Sequence, residues 1–175
     1  MVNYLSIEGL PWLFSCWIFL FFFRPLATFI HEIGHLIPLY FLSNGDLYLR
    51  IGEGTLVKRR LGRRLTLEFS WNKIAVGSVY HDGLPLSLIS RLLVLLGGPL
   101  CTSIMVMTLA FMLKNVGSTL LEVSLIGFLC SNILTLLTSI LPMRLRPTKE
   151  FPEGPPSDFL EILLLFQSRK NKQKF

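Results

Sequence analysis

The sequence predicts an all-α transmembrane core of about three helices, with a small membrane-surface antiparallel β-sheet between the first and second. Three observations predict it. Hydrophobic residues make up 51 % of the chain, charged residues only 16 %, and mean hydropathy is +0.57, the balance of a polytopic membrane protein rather than a soluble domain. Apolar runs long enough to span a bilayer cover about 11–42, 92–113 and 120–141. Between the first two runs, apolar and polar residues alternate with a period of two. Residues 1–175 read as a single membrane-embedded domain.

The first run opens at Pro11-Trp12, reaches Leu42 and is interrupted by Arg24-Pro25. As one helix it would be roughly 48 Å long against a hydrocarbon core of roughly 30 Å, so a tilted, kinked or broken helix is expected. Pro38 frees the carbonyl of Gly34 from its helical partner, and a bare carbonyl at that depth needs neighbouring protein or a polar cavity. Arg24 is expected to snorkel. The N-terminal segment has no Lys or Arg and runs straight into the apolar stretch, so no cleavable signal peptide is expected.

Within this run lies His31-Glu32-Ile33-Gly34-His35, an HExxH motif. On a helix the two histidines project from one face and can bind one zinc ion, with Glu32 beside them as general base. Two His and a Glu inside a hydrocarbon-embedded helix are costly and normally mark function, which weighs against a mere packing seam.

Residues 43–80 change character. Leu65, Leu67, Phe69 and Trp71 alternate with Thr66, Glu68 and Ser70, and Leu47, Leu49 and Ile51 repeat the pattern, with turns at Asn44-Gly45, Gly52, Gly54 and Gly62. The predicted sheet covers about 46–80. The cluster Lys58, Arg59, Arg60, Arg63 and Arg64 reads as a polar hairpin beside anionic lipid headgroups rather than a nucleic-acid site. His81-Asp82-Gly83 holds the only other histidine and reads as a turn before the second span.

Gly97-Gly98-Pro99 introduces the second span and permits close helix approach. Asn132, in the third, is either an interhelical hydrogen-bond partner or an active-site donor. Cys16, Cys101 and Cys130 all fall within spans and read as packing residues. Beyond Pro142 a Pro-rich loop and a short helix cover 142–168, with Ser157 placed to cap that helix and Asp158 in its first turn, before a basic tail expected to fray.

Orientation follows from charge. Loop 43–91 carries eight Lys or Arg and the segment after 141 carries seven, against Lys114 alone on the other side, so the large loop and C-terminus are expected in the cytoplasm. His31, His35 and Asp158 then lie on one side of the membrane and can meet there.

In its motifs the chain resembles the site-2 protease family of intramembrane zinc metalloproteases. The resemblance rests on His31-Glu32-Ile33-Gly34-His35, then Gly97-Gly98-Pro99, Asn132, Pro142 and Ser157-Asp158, in the family's order, with Phe159 where the family usually has Gly. It implies that His31, His35 and Asp158 hold one zinc ion, that Glu32 is the catalytic base, and that Asn132 assists substrate or the oxyanion. It also implies a membrane-spanning or membrane-anchored protein substrate cleaved near the cytoplasmic side. Asp82 is the alternative third ligand, but it precedes the second span and so falls outside the family's order. Two other function classes stay open: a membrane metal-binding or transport protein using the same histidine pair, and a catalytically silent relative that only holds membrane partners.

Overall fold

The structure, a computed structural model, describes residues 9–55, 57–148 and 151–172. Helix α1 spans Leu10–Leu42, α2 Leu88–Met112 and α3 Thr119–Ile140; all three are long and apolar enough to cross a membrane. A short 3₁₀ turn, Leu113–Asn115, links the last two.

Helix α1 starts on Pro11, whose missing N–H costs nothing in the first turn. It continues without interruption through Pro25 and Pro38, so the expected interruption at Arg24-Pro25 does not occur. Its 33 residues reach about 50 Å. Burial is confined to its second half, on the stripe Ala27, Thr28, His31, Glu32, Gly34, His35 and Leu39, whereas Phe14, Trp17, Phe21 and Phe22 are exposed for lipid. The Gly34 carbonyl that Pro38 releases lies against Gly97 of α2: a Cβ at either glycine would collide with the other's backbone. That contact brings the two helices to backbone distance and covers the unpaired carbonyl with protein.

Helix α2 begins at Ser87, whose hydroxyl accepts from the Ser90 N–H at 3.2 Å. This cap starts the helix four residues before the apolar run predicts, and Gly97-Gly98-Pro99 lies inside the helix rather than opening it. On α3, Val123, Gly127, Ser131, Thr135 and Ser139 form a buried row at i+4 spacing. Arg24 does not snorkel. It turns inward to this row, donating to the Ser131 carbonyl at 3.1 Å and to the Thr135 hydroxyl at 2.8 Å.

Between α1 and α2 lie strands β1 (Leu47–Ile51), β2 (Val57–Leu61), β3 (Leu65–Phe69) and β4 (Gly77–His81), in the order β2-β3-β1-β4. The sheet is mixed, not antiparallel: β1 and β3 run parallel, while β1–β4 and β2–β3 are antiparallel. The reason lies in the side chains. All five residues of β2 are exposed, so this basic strand takes an edge and β3, carrying Leu65, Leu67 and Phe69, pairs with β1 instead. The register Leu47↔Leu65, Leu49↔Leu67, Ile51↔Phe69 puts the apolar residues on one face toward α1, and Leu47, Leu49 and Ile51 are buried. Arg64 ties the sheet to the end of α1 through the carbonyls of Ser43 and Gly45.

After α3 the chain folds back through an Arg144↔Pro156 bridge, with Leu145 N–H on Pro155 O at 2.8 Å and Ser157 N–H on Met143 O at 2.9 Å. Helix α4 (Asp158–Lys172) follows, and Ser157 accepts from the Leu160 N–H at 3.2 Å as its cap. Fraying is expected from Arg169 to Phe175, but residues 169–172 continue α4, and residues from 173 onward lie outside those described.

Candidate metal centre

Helical spacing sets His31 and His35 on one face of α1, their rings at 86° with centroids 4.8 Å apart and their Nε2 atoms 3.1 Å apart. Because α4 begins where the returning loop meets the end of α3, its first residue faces this pair. Asp158 Oδ2 lies 3.0 Å from His31 Nε2, and Oδ1 lies 3.4 Å from His35 Nε2. The three groups form the one His/Cys/Asp/Glu cluster able to hold a metal ion among the described residues.

Each donor is oriented from behind. His31 Nδ1 is 2.9 Å from the Thr102 hydroxyl, whose own proton goes to the Gly98 carbonyl at 3.0 Å, so Thr102 accepts and His31 Nδ1 carries the proton. His35 Nδ1 donates to the Val94 carbonyl at 2.7 Å; the Gly98 N–H also points at this nitrogen, at 3.3 Å, but Val94 is closer and can only accept. Ser139 donates to Asp158 Oδ2 at 2.6 Å. With both Nδ1 atoms turned to acceptors, the two Nε2 atoms and the carboxylate converge on one point, which a shared metal ion or protons on Nε2 would satisfy.

The residues fit zinc. Two imidazoles and a carboxylate are a common three-ligand set, and zinc–ligand bonds of about 2.0–2.2 Å in a tetrahedron imply ligand separations of about 3.3–3.6 Å. The two Nε2 atoms are 3.1 Å apart, and the carboxylate offers Oδ2 at 3.0 Å from His31 and Oδ1 at 3.4 Å from His35, close enough for a small ion to draw the three groups together. Gly98 makes the space: a Cβ there would strike the His35 ring and His31 Cε1. For Asp158, burial pushes the carboxyl up, but when the histidine Nε2 atoms carry protons their hydrogen bonds to it outweigh burial and hold the group well below the usual carboxylate range.

Glu32 is buried beside the pair and faces the sheet rather than α2. Its carboxyl rests on Gly77, the first residue of β4, where a Cβ would meet Glu32 Cγ, Cδ and Oε1. Asn132 is fully buried; its Nδ2 donates to Phe128 O at 2.9 Å, and its Oδ1 has no hydrogen-bond partner among the described residues. The α3 side chain that reaches the cluster is instead Ser139. Asp82 stays in its turn, accepting from the Asp46 N–H at 2.6 Å, and His81 accepts from the Gly83 N–H at 3.2 Å. Sequence reasoning did not single out Thr102, Ser139 or Gly77. The signal for the first two was present as spacing: Gly98 and Thr102 share a face of α2, and Ser139 ends the small-residue row of α3. No family model matches the chain, and no curated protein matches it either.

Proposed function

We propose that this chain is an intramembrane zinc metallopeptidase of the site-2 protease type, hydrolysing peptide bonds of membrane-spanning or membrane-anchored substrates near the cytoplasmic side. The observation that carries the proposal is the meeting of Asp158, from a separate helix 127 residues away, with the HExxH histidines at ligand-like separations. His31, His35 and Asp158 would hold zinc, which when bound supplies a Lewis acid and lowers the pKa of a water to about 7. Glu32 takes the proton from the attacking water on its carboxylate and delivers it to the amide nitrogen of the departing strand.

A substrate helix has its carbonyls bonded internally and must be extended before attack. Strand β4 pairs only with β1 among the described strands, and its first residue touches Glu32. A segment added to that outer edge would run past the general base, with main-chain bonds holding it extended. The exposed basic strand β2 faces anionic headgroups in this arrangement.

Zinc content and cleavage of a model membrane-spanning peptide, measured together in Glu32→Gln, test the proposal. The variant keeps zinc and loses cleavage by at least about 100-fold, within the range of general acid–base catalysis. Full cleavage by Glu32→Gln, or zinc-loaded wild type that cleaves nothing, rejects it.

A further inference from the structure

Helix α4 carries Asp158 at its start and leaves much of its own apolar surface uncovered. Asp158 meets His35, whose ring is held at Val94, and three residues later Glu161 Oε1 meets Arg91 Nη2 at 3.4 Å. Arg91 lies nearer the start of α2 than Val94, so α4 climbs from the metal cluster toward the end of the bundle formed by the start of α2 and the end of α3. At 15 residues it is about 22 Å long, too short to cross a bilayer. Phe159, Leu163 and Phe166 lie on one face at i, i+4 and i+7 and are 43, 45 and 50 % exposed. The helix then turns basic, with Arg169, Lys170 and Lys172 in its last turns. An apolar stripe followed by cations, running from the cluster toward the end of the spans, matches the acyl chain to headgroup gradient of an anionic bilayer in both polarity and charge.

We infer that α4 docks into an anionic lipid surface, Phe159, Leu163 and Phe166 against acyl chains and its basic end among headgroups, and that docking holds Asp158 against His31 and His35. The second half of the inference rests on the proposed metal centre. The linkage is reciprocal: if lipid favours the pose that presents Asp158, zinc favours docking by the same factor. Lipid charge thereby sets metal affinity, giving the centre a dependence on its membrane.

The test uses the full chain with Cys16, Cys101 and Cys130 replaced by Ala and Phe166→Cys carrying an environment-sensitive fluorophore, in nanodiscs of phosphatidylcholine with or without phosphatidylglycerol. Brominated-lipid quenching reads burial of the probe, and competition with a chelating dye reads zinc affinity. The expected result is quenching that is stronger with phosphatidylglycerol and reduced by high salt, with zinc bound at least about fivefold tighter there. Arg169→Glu/Lys170→Glu abolishes both differences. A probe that stays aqueous in both lipids, or is equally buried in both, overturns the docking. Charge-dependent burial with unchanged zinc affinity overturns the coupling. Zinc bound in neither lipid, with burial still charge-dependent, rejects the metal centre and leaves the docking standing.

Discussion

Gly98 is the residue on which the two histidine rings rest, and its missing side chain is what lets α2 approach them. In Gly98→Ala the added methyl meets His35 and His31 Cε1, so the rings must part; zinc affinity falls at least about 10-fold while helical circular dichroism is retained. Thr102→Val keeps the shape of the site but removes the hydroxyl that fixes the His31 tautomer. Its expected cost is about 10–100-fold in zinc affinity, read by competition with a chelating dye. The HExxH pair was legible in the sequence because helix period alone puts His31 and His35 on one face. Thr102 and Ser139 were harder to read: their spacing puts Thr102 on the Gly98 face and Ser139 at the end of the small-residue row, but a hydroxyl in a span usually returns its proton to its own helix, as Thr138 does to Leu134, so spacing alone does not say which helix such a face meets.

At the scale of elements, the outer face of the sheet is held by Glu68. Burial pushes its carboxyl up, but Lys58, Tyr80 and Arg50 outweigh that and bring it from 4.5 down to about 2. A group whose value is lower in the folded protein stabilises it when ionised, so this contribution is full above about pH 4.5 and is lost as pH falls toward 2. Amide exchange of β1 and β3 should accelerate over that window, and Glu68→Gln should remove the dependence. The helix contact at Gly34 and Gly97 makes a second prediction: Gly97→Val forces α1 and α2 apart and costs about 1–3 kcal/mol, seen as a lower thermal midpoint. The spans were readable from apolar runs, and the faces of β1 and β3 from their alternation. Strand order was not, since a period of two states which side chains share a face but not which strand lies alongside, and the parallel β1–β3 pairing follows from β2 being too charged for any place but an edge.

For the whole molecule, the charge asymmetry of fifteen basic residues against Lys114 predicts a cytoplasmic sheet and C-terminus. A cysteine at position 60 in a cysteine-free background should be labelled only from the cytoplasmic side, and one at 118 only from the other. That arrangement matters because α1, α2, α3 and α4 each contribute to one cluster: the histidines from α1, Val94 and Thr102 from α2, Ser139 from α3 and Asp158 from α4. The sequence placed Asp158 at the same end of the spans as His31 and His35, and the three do meet. What it did not show is how the loop returns, because the bonds that close it end on backbone groups, from the Arg144–Pro156 bridge to the Ser157 hydroxyl on Met143 N–H and Leu141 O, and backbone partners leave no signature in side-chain pattern. The most direct measurement of the account is zinc affinity of the purified protein in wild type, Asp158→Asn and Asp82→Asn. One zinc per chain is expected in wild type, a loss beyond about 100-fold in Asp158→Asn, where Asn keeps the helix start but loses the charge, and no change in Asp82→Asn. Undiminished affinity in Asp158→Asn, or loss in Asp82→Asn instead, would contradict it.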